Sequence, residues 1–363
     1  MFENYDHVRG PAVIYTGGIL TESNGKTAHG LIRGTERFKI LGVIDPPCAG
    51  KDAGVVLDGI HRNIPVYADV RDFLKKCPKK PQYLIFGVAP CGGLLPDDMR
   101  PPLLDAMQHG LSLVFGLHQY LSEDADFQAA AQKYGVKIYD VRRPRPFKDL
   151  RFFRGEIFSV KTPRIALLGM DCAVGKRTTG RFLVEMCRKH NIKAEMIFTG
   201  QTGWMQGCRH GFFFDTTPND FVSGELERCI VECDQEAKPD IIFIEGQSSL
   251  RNPFGPSGSE ILLSGQAKAA ILMHAPFRKY FEETELPQCL IPSVETEIEL
   301  IKMYGAQTLA VALNGAHGDR RQLIEVQKNL TQKLNCPVIR PLEEGVEMLL
   351  SLIRDYINQQ TGV

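Results

Sequence analysis

Residues 164–179, RIALLGMDCAVGKRTT, carry the residue types of a phosphate site. An apolar strand runs into Gly169, and Gly175-Lys176 opens a helical segment. A short loop between strand and helix turns successive backbone N–H groups inward as an anion nest. The helix N-terminus adds its partial positive charge, and Lys176 neutralises phosphate oxygens. The expected ligand shell is Gly169, Met170, Cys172, Ala173, Val174, Gly175, Lys176, Arg177, Thr178 and Thr179. The strict phosphate-loop pattern has four residues between its glycines and a hydroxyl directly after the lysine. Here five, Met170 to Val174, separate the glycines, and Arg177 follows Lys176. Thr178 is the nearest hydroxyl for a magnesium ion. Its displacement weakens the magnesium inference more than the phosphate inference. The competing reading is a glycine turn with a surface lysine.

Two carboxylates stand where acid–base chemistry needs them. Asp171 lies inside the loop, where it either hydrogen-bonds loop amides or pairs with Lys176, or else ligates a cation or accepts a proton from a substrate amine. Glu245 ends the apolar run DIIFIE, so it faces the carboxyl edge of a sheet, suited to a general base or, with Thr178, to magnesium. A buried acid after such a run is costly without a partner. The turn Thr199-Gly200-Gln201-Thr202-Gly203 follows another strand at the same expected edge. Asn314 ends the strand TLAVALN and either makes a turn or reads an adenine-like base. Arg278 and Lys279, after HAPF, either bind anions or are simply solvated.

These groups need parallel strands whose carboxyl ends lie along one edge. The chain alternates apolar, β-branched runs with amphipathic stretches, which is the pattern of helices wrapped around parallel sheets. In the first part, strands are expected at 12–15, 39–44, 83–88, 113–116 and 137–141, with helices near 70–76, 97–109 and 123–134. Near-continuous apolar strands such as YLIFGV fit a sheet covered on both faces. In the second part, strands are expected at 164–168, 194–199, 241–245, 269–274, 308–313 and 337–340. Helices are expected at 175–190, 218–234, 257–266, 294–303, 322–334 and 343–356. Ser293 can cap its helix, and Thr217-Pro218 reads as an N-cap followed by proline at the first helical position. Between the halves, RRPRPFKDLRFFRGEIFSVKTP is basic, proline-bearing and without helical period. Domains are therefore expected at 1–145 and 164–363, joined by a linker at 146–163. The other reading of that stretch is a long surface loop in one domain.

The first part has its own glycine loop, Gly87-Val-Ala-Pro-Cys91-Gly92-Gly93, and a strand-terminal acid, Asp45. GxGxxG is absent, so a Rossmann-like sheet is expected without a nicotinamide cofactor. Cys91 and Cys172 lie in loops, where a thiol is either a nucleophile or inert. The histidines form no evident triad or HExxH.

Composition narrows the class. The 363 residues are 43% hydrophobic and 24% charged, with Lys+Arg and Asp+Glu equal at 43 each. That balance excludes a disordered chain and speaks against a nucleic-acid binder. No apolar run approaches the ~20 residues of a membrane span, and MFENYDHVRG is not a signal peptide. Ten cysteines without an export signal point to reduced thiols and a cytoplasmic protein. Cys229 and Cys233 stand one turn apart, but no second pair completes a zinc site. The apolar C-terminal stretch VEMLLSLI leaves room for a second copy of the chain.

Several segments together carry a resemblance over nearly the whole chain. In the first half they are Lys26-Thr-Ala-His-Gly30 with Arg33, Gly42-Val-Ile-Asp45-Pro-Pro, the Gly87–Gly93 loop, Gly116-Leu-His118 and Asp140-Val-Arg142. In the second they are Gly169-Met-Asp-Cys-Ala-Val-Gly-Lys176, Thr199-Gly-Gln-Thr-Gly203 and Ile244-Glu-Gly-Gln247. The sequence resembles a family long described as a domain of unknown function and now as D-glutamate, or D-amino acid, N-acetyltransferases. The resemblance implies a Rossmann-like N-terminal domain and a C-terminal P-loop NTPase-like α/β/α sandwich. Arg177 after the loop lysine is normal within that family. The phosphate loop is also locally similar to that of dethiobiotin synthetases, ATP-dependent ligases of the same fold class.

The resemblance implies acetyl transfer from acetyl-CoA to the amino group of D-glutamate or a related D-amino acid. The loop would anchor the coenzyme phosphates without a metal. Asp171 or Glu245 would be the base, and the Thr199–Gly203 turn would give N–H donors to the oxyanion. Substrate is expected around Gln201, Thr202, Gly203 and Gln247, with Arg251 or Arg278 gripping its carboxylates. The alternative is an ATP- and magnesium-dependent kinase or ligase, with Lys176 on the phosphates and Thr178 and Glu245 around the metal. A third reading is a non-enzymatic nucleotide-binding protein.

Overall fold

The computed structural model describes residues 5–282 and 284–361, and only the backbone of residues 91 and 361. The Cys91 thiol therefore lies outside what is described. The chain divides into two compact units, Met1–Pro146 with Gln201–Gly207, and Phe147–Gly200 with Cys208–Val363.

The first unit runs β1 (Gly10–Tyr15), α1 (Lys26–Arg33), β2 (Phe38–Ile44), α2 (Ala53–Asp58), β3 (Val66–Tyr67), α3 (Val70–Lys76), β4 (Tyr83–Phe86), α4 (Arg100–Gln108), β5 (Ser112–Phe115), α5 (Ala125–Tyr134) and β6 (Ile138–Asp140). Among the described residues its sheet has six strands, all parallel, in the order β3-β2-β1-β4-β5-β6. That is the doubly wound order, with helices on both faces. The apolar strands are buried accordingly. Val13, Leu84, Phe86 and Leu113 pack with Phe73, Leu103 and Phe127 from the helices. Asp52, Asp69 and Asp124 start α2, α3 and α5 by accepting backbone N–H groups of the first turn. Asp45, at the end of β2, turns inward. Its Oδ2 accepts from Thr16 Oγ1 at 2.8 Å and from Gly18 N and Leu20 N at 3.0 Å each. Those amides of the first loop are thus occupied by the protein's own carboxylate.

The second half continues β7 (Arg164–Gly169), α6 (Lys176–Lys189), β8 (Ala194–Ile197), α7 (Gln201–Met205), α8 (Asn219–Ala237), β9 (Ile241–Glu245), α9 (Ser259–Leu263), β10 (Ala269–His274), α10 (Val294–Met303), β11 (Gln307–Leu313), α11 (Arg320–Lys333), β12 (Val338–Ile339), α12 (Pro341–Glu344) and α13 (Leu350–Thr361). Its parallel sheet, six strands among the described residues, has the order β12-β11-β10-β7-β9-β8. β7, which carries the phosphate loop, is central between β10 and β9.

α7 is the exception to chain order, because it belongs to the first unit. Trp204 and Met205 are buried there. Gln206 donates its amide to Gly30 O at 2.7 Å and Gly34 O at 3.0 Å, closing the end of α1. Thr35 Oγ1 donates to Met205 O, and Arg37 Nε donates to Trp204 O. The Arg37 guanidinium lies 4.0 Å over the Trp204 ring.

Three other expectations change. The stretch expected as a linker at 146–163 is strapped to α8 of the second unit from Phe147 onward. Arg151 N donates to Glu225, and Arg154 N and Ile157 N donate to Glu227. The Phe147 and Phe152 rings sit 5.0 and 4.5 Å from that of Phe221. Gly224 permits this approach, since a Cβ there would lie 2.0 Å from Arg151 O. Thr217 does not cap α8: its hydroxyl donates back to Phe213 O. The helix expected at 343–356 is interrupted at Gly345, where φ is +75°. Its apolar residues Val346, Leu349, Ile353 and Tyr356 are buried in the unit's own core. Among the described residues no helix is long and apolar enough to cross a membrane.

Candidate functional site

The phosphate loop is shaped by its backbone. Met170 N donates to Met273 O of β10, which holds the loop's start to the sheet. Ala173 and Gly175 both have left-handed φ, +51° and +101°, and residues of mixed handedness gather their N–H groups into a nest. Gly169 cannot be larger, because a Cβ there would lie 2.7 Å from Val174 Cγ2 and 2.9 Å from Lys176 Nζ. These features fit a phosphate group. Met170 and Val174 are buried in the core, so only their backbones can serve a ligand. Thr178 and Thr179 lie in the first turn of α6, half-buried and buried respectively. The Cys172 amide donates to Asp171 Oδ1 at 2.7 Å, which removes it from the ligand shell expected for the loop.

Lys176 is buried at the start of α6. Its ammonium donates to Asp171 O and Ser248 O, both at 2.7 Å. Burial pulls its pKa below the usual lysine value, opposed by the charges of Cys172, Asp171, Glu245 and Glu282. A bound phosphate would oppose that burial penalty further. Arg177 is half-buried beside it.

The two acids separate into different roles. Asp171 is fully buried and accepts four hydrogen bonds. Oδ1 takes Cys172 N at 2.7 Å and Asn252 Nδ2 at 3.2 Å, and Oδ2 takes Arg278 Nη1 and Glu282 N at 2.7 Å each. Both oxygens are engaged, and its ion-pair partner is Arg278 rather than Lys176. These bonds match the loop-amide role expected for Asp171, with Arg278 in place of Lys176 as its ion-pair partner. Glu245, at the end of β9, is buried and accepts Thr199 N at 3.2 Å through Oε2. Burial pushes its pKa up, while Arg177, the Thr199 amide and Lys176 pull it down. A carboxyl group raised toward neutrality is what a general base needs.

The arginines expected to hold substrate carboxylates have protein partners. Arg278 Nη1 donates to Asp171 and also to Cys172 O at 2.8 Å. Arg251 donates through Nε to Glu297 at 2.6 Å and through Nη2 to Thr296 Oγ1 at 2.9 Å. Glu297 is buried, so its charge requires that partner. Gln201, Thr202 and Gly203 are buried in α7 of the first unit and are not part of the phosphate unit. The Thr199 N–H, expected as an oxyanion donor, donates to Glu245 instead. Gln247 Nε2 braces Thr199 through its O and Oγ1, at 2.9 and 3.2 Å. Asn314 Oδ1 accepts Ala316 N, which is a turn bond, and its Nδ2 lies 3.8 Å from where a Gly175 Cβ would be.

Sequence reasoning missed His274, which ends β10 one strand from the loop. Its Nδ1 is buried with no hydrogen-bond partner among the described residues. Burial pushes its pKa down to about 4. The signal was present, since His274 closes an apolar run just as Glu245 does. Ser248, with φ +37°, and Asn252 were also missed, in a loop whose sequence has no pattern.

Comparisons with known proteins bear on both units. A family model described as Domain of unknown function (DUF1611_C) P-loop domain matches residues 151–350. One described as Domain of unknown function (DUF1611_N) Rossmann-like domain matches residues 46–144. A D-glutamate N-acetyltransferase from a Pseudoalteromonas species is 30% identical over 274 residues, covering 74% of this chain and 80% of that protein. A D-glutamate N-acetyltransferase from Tritonibacter scottomollicae is 28% identical over 284 residues, covering 74% of this chain and 80% of that protein. A crystal structure of a DUF1611 family protein from Anabaena variabilis matches with a TM-score of 0.84 and 29% identity. It covers 96% of this chain and 99% of that one.

Proposed function

Since the chain belongs to the DUF1611 family, with its Rossmann-like and P-loop domains, we propose that it is an N-acetyltransferase moving acetyl from acetyl-CoA to the amino group of D-glutamate. The name shared by two relatives supports the chemistry. Within the structure, the observation that carries the reading is Glu245, a buried carboxylate with a raised pKa in the same unit as a built phosphate nest.

The parts suit the reaction. Coenzyme A carries a pyrophosphate and a 3′-phosphate, which the nest amides and Lys176 can hold without hydrolysing anything. Arg177 places a permanent cation where the strict loop pattern has the metal-binding hydroxyl. That favours an anchor without magnesium. The amine must be neutral to attack, and Glu245 takes its proton. The nitrogen then bonds to the thioester carbonyl carbon and the carbon–sulfur bond breaks. The proton held by Glu245 passes to the departing sulfur, so that coenzyme A leaves as the thiol, and the nitrogen's remaining surplus proton goes to solvent. Asp171 and Arg278 keep the loop in shape through their buried pair.

The test is coenzyme A release by the purified protein, given acetyl-CoA and a panel of D- and L-amino acids, with magnesium or a chelator. Release that requires D-glutamate and ignores the chelator is expected. No release with any amine, together with magnesium-dependent ADP formation from ATP, would overturn the reading in favour of a kinase or ligase.

A further inference from the structure

Lys176 reaches beyond the phosphate loop, to the loop that leaves β9. Its ammonium donates to Ser248 O at 2.7 Å. That second loop is otherwise closed on itself and on its neighbours. Gly246 N donates to Leu167 O of β7 at 3.0 Å, which fixes the loop's start. Gln247 O accepts Ser257 Oγ at 2.8 Å, and Ser249 O accepts Ser257 N at 3.0 Å. Asn252 Nδ2 donates to Asp171 Oδ1 at 3.2 Å.

The loop's conformation carries two costs at adjacent residues. Ser248 has φ +37°, in the left-handed region where a side chain crowds the backbone. Ser249 is 3% exposed, and its hydroxyl has no hydrogen-bond partner among the described residues. A buried hydroxyl left unpaired is unfavourable. Lys176 opposes both costs, because a hydrogen bond from an ammonium to a carbonyl is stronger than one between neutral groups. An ammonium has three N–H donors. Two go to Asp171 O and Ser248 O, which leaves one for a ligand. Phosphate oxygens carry charge and are better acceptors than a peptide carbonyl. A phosphate seated in the nest therefore competes with Ser248 O for Lys176, and the bond that offsets the strain weakens.

We propose that residues 247–257 form a strained loop, which Lys176 holds in the phosphate-free protein and releases when a phosphate group occupies the nest. This rests on the reading of residues 169–176 as a phosphate site and not on the identity of the reaction. The loop also leads to Glu245. Gln247 braces Thr199, whose N–H donates to Glu245. Release of the loop thereby links occupation of the nest to the surroundings of that carboxylate.

The test uses the full chain and does not depend on turnover. Acetyl-CoA and ATP are titrated calorimetrically into wild type, Ser248→Gly and Ser249→Ala. Glycine removes the penalty for a left-handed residue, and alanine removes the unpaired hydroxyl. Each variant makes the held loop less costly, so the free protein gains less by letting go. Each is expected to weaken the ligand that the nest takes by about threefold to tenfold. Hydrogen exchange is followed in peptides covering residues 247–257. Ligand is expected to speed exchange there in wild type, the opposite of simple shielding. Lys176→Met, which keeps the bulk and loses the ammonium, is expected to exchange faster there with no ligand added. Should Lys176→Met fail to fold, the two serine variants and the wild-type exchange decide. Exchange that a bound ligand leaves unchanged or slows, or either serine variant binding within twofold of wild type, overturns the proposal. Wild type that binds neither acetyl-CoA nor ATP removes the phosphate reading and the proposal with it, a result distinct from a bound ligand that leaves the loop in place.

Discussion

Acidifying the protein from pH 7.5 to pH 4.5 should weaken a fold that holds one imidazole neutral. His274 ends β10, and burial pushes its pKa from 6.5 down to about 4, only partly opposed by Glu295. The unfolded chain binds this proton more readily than the folded one. The contribution to stability is therefore complete above pH 6.5 and drains away as the pH falls toward 4. The gap between the two values corresponds to roughly 3 kcal/mol, of which about 2.5 kcal/mol is gone by pH 4.5. Other groups titrate over the same range, including His210, whose pKa burial also lowers. The comparison must therefore be with His274→Gln, which is neutral at both pH values. Urea unfolding followed by far-UV circular dichroism is measured for both proteins at pH 7.5 and pH 4.5. Wild type should lose about 2.5 kcal/mol more than the variant. Equal losses in the two proteins, or an NMR titration of His274 near 6.5, would refute the reasoning. The functional consequence is that His274 brings no charge to the phosphate loop near neutral pH. Phosphate charge there must be met by Lys176, Arg177 and the nest amides.

Other expectations concern the same machinery. Lys176→Ala should weaken acetyl-CoA binding by about tenfold to a hundredfold, the loss of a charge-assisted contact, with circular dichroism unchanged. Unchanged affinity for both acetyl-CoA and ATP would sink the phosphate-loop assignment. Glu245→Gln should lower kcat by about a hundredfold to ten-thousandfold and leave acetyl-CoA affinity within a small factor. A base must be ionised, so wild-type kcat should rise with pH through the elevated Glu245 pKa, and that limb should vanish in the variant. An equal loss of binding and turnover would make Glu245 a binding group instead. A fragment ending at residue 146 lacks α7 and the buried Trp204 and Met205. Trp→Ala alone costs about 3–5 kcal/mol in a core, comparable with the whole stability of a marginal domain. The fragment should show no cooperative urea transition, and a sharp one would contradict the role given to α7.

Much of the architecture could be read because it is written locally. Apolar runs such as YLIF and IIFIE have the length and residue types of buried strands, and a glycine–lysine pair between strand and helix has those of a tight, cationic turn. The illegible parts are those whose partners lie far along the chain. α7 is buried on every side, so its five residues have no amphipathic period, and Gly30 and Gly34, which Gln206 contacts, stand more than 170 residues earlier. The basic stretch after Pro146 resembles a linker until Glu225 and Glu227 are seen accepting its backbone amides.

Charged side chains show the difficulty most sharply, because a sequence names the charge but not its partner. Arg278 pairs with an acid 107 residues away, and Arg251 with one 46 residues away. Neither pairing leaves a trace in local composition. Asp171 and Glu245 differ in the number of donors they receive. Asp171 receives four hydrogen bonds, one from the Arg278 guanidinium, which tie its side chain into the loop. Glu245 receives a single amide, and burial then outweighs the cations around it and raises its pKa. Two buried carboxylates in one unit thus differ in their surroundings, one tied into the loop by several donors and the other raised in pKa by burial.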